Sequence, residues 1–129
     1  MKDFNIAPFK FSSHSLKELN TCDARLREIM KRAIKVYDFS VICGFRDETA
    51  QNYAYDHKPQ LSKFKWPNSK HNRQPSLAVD VAPYPINWDD PVKFTELAIV
   101  IKSIANDLCI PLIWGGEWRS VDMPHYELK

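Results

Sequence analysis

Glycine is scarce: only Gly44, Gly115 and Gly116 occur in 129 residues. A glycine-rich phosphate loop needs several in a short span, so nucleotide-binding motifs of that kind are excluded. Cysteine is as rare. Cys22, Cys43 and Cys109 form no CxxC pair, and their odd number and wide spacing argue against a disulfide framework or a thiolate zinc site. All three are read as buried free thiols. Charge of one sign is also lacking. The formal net charge is +2, too small to point to nucleic acid, though it suits mild attraction to an anionic polymer. No apolar run approaches the roughly 20 residues of a membrane span, so no stable membrane association is expected. The opening stretch "MKDFNIAPFKFSSHS" alternates polar and apolar residues and has no signal-peptide core. Synthesis in a cytoplasm without a signal peptide is the expectation.

What is present suits a folded chain. Hydrophobic residues make up 44% and charged residues 26%, the mix of a globular protein. One compact domain over residues 1–129 is expected, and a chain of this length can bury about two-thirds of its unfolded surface.

Between residues 22 and 37, Leu26, Ile29, Met30, Ala33, Ile34 and Tyr37 follow helical spacing. "FSVIC" (39–43) reads as a short buried strand closed by Gly44. Asp47 can cap a helix over "ETAQNYAYDH". Residues 58–70 hold two prolines and four lysines and read as a long exposed loop. A strand is expected over 77–82. Asp90 followed by Pro91 is a strong helix start, with the apolar stripe Phe94, Leu97, Ala98, Ile101, Ile104, Ala105 and Leu108 behind it. "PLIW" (111–114) and "HYEL" (125–128) read as strands around a Gly115-Gly116 turn. The order α, β, α, β, α, β, β predicts an α+β fold, with helices on one face of a small, mostly antiparallel sheet.

The strand over 77–82 carries Asp80 in its middle, and an ionised carboxylate is costly to bury without a partner. Alternation puts Ala78, Asp80 and Ala82 on one face, with Leu77, Val79 and Val81 opposite. The same rule puts His125 and Glu127 together on the last strand. If the branched residues face the helices, His71, Asp80 and His125 could converge above a floor of alanines. Two imidazoles and a carboxylate suit zinc, and three protein ligands leave one coordination position open, as catalytic sites do. A divalent ion would compensate Asp80 and bring the pKa of bound water towards roughly 7.

Asp122, three residues before His125, could act as the base, with Pro124 stiffening the connection. Arg46, between a strand and a helix, could bind a substrate carboxylate or stabilise an oxyanion. Plainer readings stand beside these. His71 also reads as a surface histidine, Asp80 as a hydrogen-bonded structural acid, and Asp122 and Arg46 as solvated groups. His14, His57 and the lysines at 58, 63, 65 and 70 are read as solvated, though the lysines could touch an anionic substrate.

"SKHNRQPSLAVDVAPYP" resembles the SxHxxGxAxD zinc motif of the D-alanyl-D-alanine peptidase superfamily, which includes VanY-type carboxypeptidases and VanX-type dipeptidases. "CGFRDETAQ" resembles the group's arginine segment, and "DMPHYEL" its final acid-x-x-histidine motif. The match is nearest to small phage endolysins that are L-alanyl-D-glutamate peptidases. The resemblance implies a hedgehog-like peptidase fold and one zinc ion per chain. Its ligands would be His71, Asp80 and His125, with Asp122 as base and Arg46 as substrate or oxyanion arginine. Ser69 matches the serine that opens the motif and is assigned to substrate binding.

Two departures are visible. Eight residues separate His71 from Asp80, two more than the commoner pattern, and Ser76 stands where the motif has glycine. "GGEWRSVDMPH" is too short and too poor in acids for a calcium-binding loop, so no calcium site is expected. The implied activity is hydrolysis of peptidoglycan stem peptides, most naturally at the L-alanyl-D-glutamate bond, by a monomer that reaches the wall once a holin breaches the membrane. The alternatives are D-Ala-D-Ala cleavage at the same site, a non-catalytic zinc-bound wall-binding module, and a cysteine peptidase or amidase using Cys43.

Overall fold

A computed structural model describes residues 9–129. The first eight residues of the opening stretch read above for a signal peptide lie outside the described residues. The described elements are α1 (Ser13–Leu19), α2 (Ala24–Ala33), β1 (Phe39–Cys43), α3 (Glu48–Asp56), β2 (Ala78–Pro83), α4 (Pro91–Asp107), β3 (Leu112–Trp114) and β4 (His125–Leu128). The strands form one sheet in the order β1-β2-β4-β3, and every neighbouring pair is antiparallel. This is the expected α+β architecture. Among the described residues, no helix is long and apolar enough to cross a membrane.

The helices begin where the sequence places capping side chains. Asp23 accepts from Arg25 N, Asp47 from Ala50 N and Asp90 from Lys93 N, each satisfying a donor with no partner inside its helix. Behind those caps, Leu26, Ile29, Met30 and Ala33 of α2 and Phe94, Leu97, Ala98, Ile101 and Ala105 of α4 are buried. The two helices pack on each other, and α4 lies across β2 and β3. Val79, Val81, Tyr126 and Leu128 belong to the same apolar core, so these strand positions face it. Asp80, His125 and Glu127, at alternate positions, are left on the other face.

Three expectations need revision. Helix α1 was not anticipated. Ser12 caps it by accepting from Ser15 N, and Ser15 Oγ accepts from Val41 N at 3.0 Å, occupying a donor on an edge strand. The helix expected over 22–37 ends at Ala33. Its apolar spacing runs on because the turn that follows still packs on the core: Ile34 is buried and Tyr37 half-buried. The cysteines are not uniformly buried. Cys22 is buried, Cys43 half-buried and Cys109 exposed. Cys109 ends α4 with φ 58°, the left-handed conformation that usually takes glycine there.

Candidate active site

Asp80 lies in the middle of a central strand, paired with His125 on β4 and with Cys43 on β1. The β1 pairing is irregular. Val41 opposes Val81, but Cys43 rather than Ile42 opposes Asp80. One extra residue in a strand re-aims the side chains after it, and here Cys43 is turned towards Asp80. His71 arrives from a short 3-10 turn, Lys70–Asn72, which Ser69 begins. Ser69 Oγ accepts from His71 N at 3.2 Å, and Asn72 Oδ1 accepts from Ser69 N at 3.0 Å.

The two histidines meet at one oxygen. His71 Nε2 is 3.3 Å and His125 Nδ1 3.2 Å from Asp80 Oδ1, with the rings 5.2 Å apart. Their other nitrogens are already engaged. His71 Nδ1 is 2.7 Å from the Gly44 carbonyl, which can only accept. His125 Nε2 is 2.7 Å from Glu127 Oε1. Lys70 Nζ, 3.2 Å from Glu127 Oε2, also donates to the Leu128 carbonyl. Each outer nitrogen therefore carries a proton, and each inner nitrogen faces the carboxylate either across a second proton or with a lone pair open to a cation. Such contacts repel unless a proton or a cation lies between them. Metal-ligating histidines are characteristically oriented through an acceptor on their other nitrogen. The donor set thus fits a divalent ion.

The charges agree. Burial opposes ionisation of both histidines, but Asp80 outweighs it and raises their pKa values. Burial would raise Asp80 as well, yet the two imidazoles hold it well below the usual carboxylate range. Glu127 is likewise held low, burial being outweighed by His125 and Lys70.

Among the described residues, Cys43, His71 and Asp80 bring one donor atom each within 4.8 Å of one another. Cys43 was not among the expected ligands, and His125 reaches the cluster through Asp80 Oδ1. The alanines expected as an open floor are fully buried, while the Asp80 side chain keeps 21% exposure. With the two extra residues before Asp80, His71 Nε2 still lies 3.3 Å from Asp80 Oδ1. Arg73, Gln74 and Pro75 form an exposed turn, and the buried Ser76 in the glycine position donates to the Ala78 carbonyl at 2.6 Å.

Arg46 lies inside the site, with Nη2 3.3 Å from Asp80 Oδ2 and Nη1 3.0 Å from Gln51 Oε1. Asp122 is held beside His125 through the backbone: its N donates to Gly115 O at 2.9 Å, and its carbonyl accepts from His125 N at 3.2 Å. Burial first, and repulsion from Asp80 second, push its carboxyl above the ordinary range. Gly115 makes this approach possible. A Cβ there would lie 2.4 Å from Asp122 O and 3.2 Å from His125 Cβ. Gly115→Ala is therefore expected to displace Asp122 and, on the base role proposed below, to lower turnover about 10²-fold, since a shift of roughly 1 Å at a reacting group can cost that much. Circular dichroism should show a folded protein, and unchanged turnover would contradict the placement.

Sequence reasoning missed Cys43 as a neighbour, Gln51, the Lys70–Glu127 pair behind His125, and Trp118, whose ring centroid is 5.0 Å from that of His125. Only Glu127 carried a visible signal, its alternation with His125.

Residues 7–129 match the family model described as phage L-alanyl-D-glutamate peptidase. The L-alanyl-D-glutamate peptidase of Escherichia phage T5 is 30% identical over 128 residues, covering 94% of this chain and 90% of that protein. The crystal structure of the Serratia marcescens L-Ala D-Glu endopeptidase ChiX superposes with a TM-score of 0.79 at 24% identity, covering 98% of this chain and 96% of that one. Fold and family model together define the class, a peptidase on a small α+β scaffold. The chain belongs to the phage L-alanyl-D-glutamate peptidase family.

Proposed function

We propose that this chain is an endolysin that cuts peptidoglycan stem peptides at the L-alanyl-D-glutamate bond, with residues 1–129 acting as one catalytic domain and His71, Asp80 and His125 holding one zinc ion. The observation that carries this reading is the pair of inward-facing imidazole nitrogens on Asp80 Oδ1, each ring locked from behind. Zinc bound there would supply Lewis-acid polarisation of the scissile carbonyl and a more acidic water.

The remaining work falls to side chains. Asp122 takes a proton from the attacking water and returns it to the departing nitrogen; its raised affinity for protons suits both steps. Arg46, with its plane set by Asp80 and Gln51, directs its remaining N–H groups at a substrate carboxylate or at the developing oxyanion. Ser69 spends its hydroxyl on His71 N, so its part in recognition is to fix the turn that delivers His71. Trp118 forms a wall beside His125. The protein works as a monomer, needs no calcium, and meets the wall after a holin has opened the membrane. The lysines of 58–70 suit contact with an anionic wall polymer, and a net charge of +2 is too small to point to nucleic acid.

Mass spectrometry of fragments released from purified peptidoglycan tests this. The expected products end in free L-alanine on one side and begin with D-glutamate on the other, and a chelator abolishes them. Released D-alanine would move the assignment to the D-Ala-D-Ala bond, and no release would leave a binding module. Hydrolysis that survives the chelator but is lost in Cys43→Ser would identify a thiol enzyme.

A further inference from the structure

Gln51 on α3 is fully buried, and all four polar positions of its amide are used. Its Oε1 accepts from Arg46 Nη1 at 3.0 Å and Asn72 Nδ2 at 3.1 Å. Its Nε2 donates to Ser62 Oγ at 2.9 Å and to the Phe64 carbonyl at 2.5 Å. An amide offers two acceptor and two donor positions, so none is spare. The partners also fix its orientation. Arg46 can only donate, and the Phe64 carbonyl can only accept.

These four contacts tie three parts of the chain to one buried amide. Asn72 belongs to the turn that presents His71, and its Nδ2 also donates to the Arg46 carbonyl at 3.0 Å. Ser62 and Phe64 belong to the loop over residues 58–70. Residues 61–66 of that loop have further ties to α3, through Leu61 N and Ser62 N to the Ala54 carbonyl and Trp66 N to Asn52 Oδ1. Gln51 alone of these anchors touches the site arginine. Arg46 has two side-chain partners, Gln51 on Nη1 and Asp80 on Nη2. With Gln51 gone, the guanidinium can pivot about its single contact with Asp80.

We propose that Gln51 is a positioning residue that couples substrate recognition at Arg46 to the order of the 58–70 loop, because one buried amide holds both. The substrate half of this claim rests on the role proposed above for Arg46; the loop half does not.

Gln51→Glu attacks the loop end of the amide. The carboxylate can still accept from Arg46 and Asn72, but it sets an oxygen against the Phe64 carbonyl, where two acceptors repel, so the side chain shifts and carries Arg46 with it. In the zinc-loaded full chain, trypsin should cut at Lys63 and Lys65 about tenfold faster, the factor expected for losing one net hydrogen bond. KM for peptidoglycan fragments should rise by a similar factor with kcat nearly unchanged. Ser62→Ala removes a single loop partner and should move both readouts the same way by less, so the claim stays testable if the buried substitution unfolds the chain. Faster cutting with unchanged KM, or a raised KM with unchanged cutting, would break the coupling and overturn the proposal. Zinc content, measured alongside, stays at the wild-type value if the coupling is right. Loss of zinc from Gln51→Glu would show that the residue supports the His71 turn instead. Trypsin protection needs no substrate, so it reports on Gln51 even if the assigned reaction is wrong.

Discussion

Replacing Asp122 with alanine lowers turnover by about 10²- to 10⁴-fold, the contribution of a positioned general base, while one zinc ion per chain stays bound. The prediction separates chemistry from metal binding because Asp122 reaches the cluster from its own turn. It is tied to Gly115 and His125 only through backbone groups, which the substitution leaves in place. The fold should tolerate the change. An acid whose folded-state pKa is raised destabilises the folded chain as pH rises through the interval between its unfolded and folded values. In the metal-free chain, removing Asp122 therefore removes a burden above its unfolded pKa. Rates of wall-fragment hydrolysis set against zinc stoichiometry check the point, and a variant that hydrolyses at near-normal rates would refute the base assignment.

The second large effect concerns the metal. A ligand that binds only the folded chain stabilises it by about 2.7 kcal/mol when present at a hundred times its dissociation constant. For a chain of this size that corresponds to a rise in Tm of about 10 °C. Wild-type protein should show this zinc-dependent shift in a thermal melt, and His125→Ala should lose it together with turnover. Cys43→Ser should keep both. The contrast matters because Cys43, His71 and Asp80 are the donors grouped by mutual distance, whereas His125 joins through a carboxylate oxygen. A shift that disappears with Cys43 and survives without His125 would exchange their roles.

Much of the frame was legible in the sequence because local rules set it. The caps at Asp47 and Asp90 and the stripe of α4 are short-range features, and each appears where its residues stand. Alternation alone placed Asp80 on one face and put His125 beside Glu127. What could not be read depends on how strands meet. The bulge that turns Cys43 towards Asp80 is a property of register between β1 and β2, and nothing in "FSVIC" announces it. Gln51 looks like an ordinary polar position in a half-exposed helix, and only the return of residues 62–64 and 72 to α3 makes it a buried hub. Helix α1 was missed because it is a short helix of seven residues whose apolar face amounts to little more than Leu16 and Leu19. The three expected ligands were recognisable as residue types, but their convergence was a tertiary fact. Arg73–Pro75 form an exposed turn between the buried Asn72 and Ser76, so the longer spacing is taken up at the surface.

Anomalous diffraction at the zinc edge, from crystals grown with the metal, tests the coordination directly. A single peak should lie about 2.0–2.2 Å from His71 Nε2, Asp80 Oδ1 and His125 Nδ1, with a fourth direction open to solvent. A peak bonded to Cys43 Sγ at about 2.3 Å in place of His125, or no peak among these side chains, would contradict it.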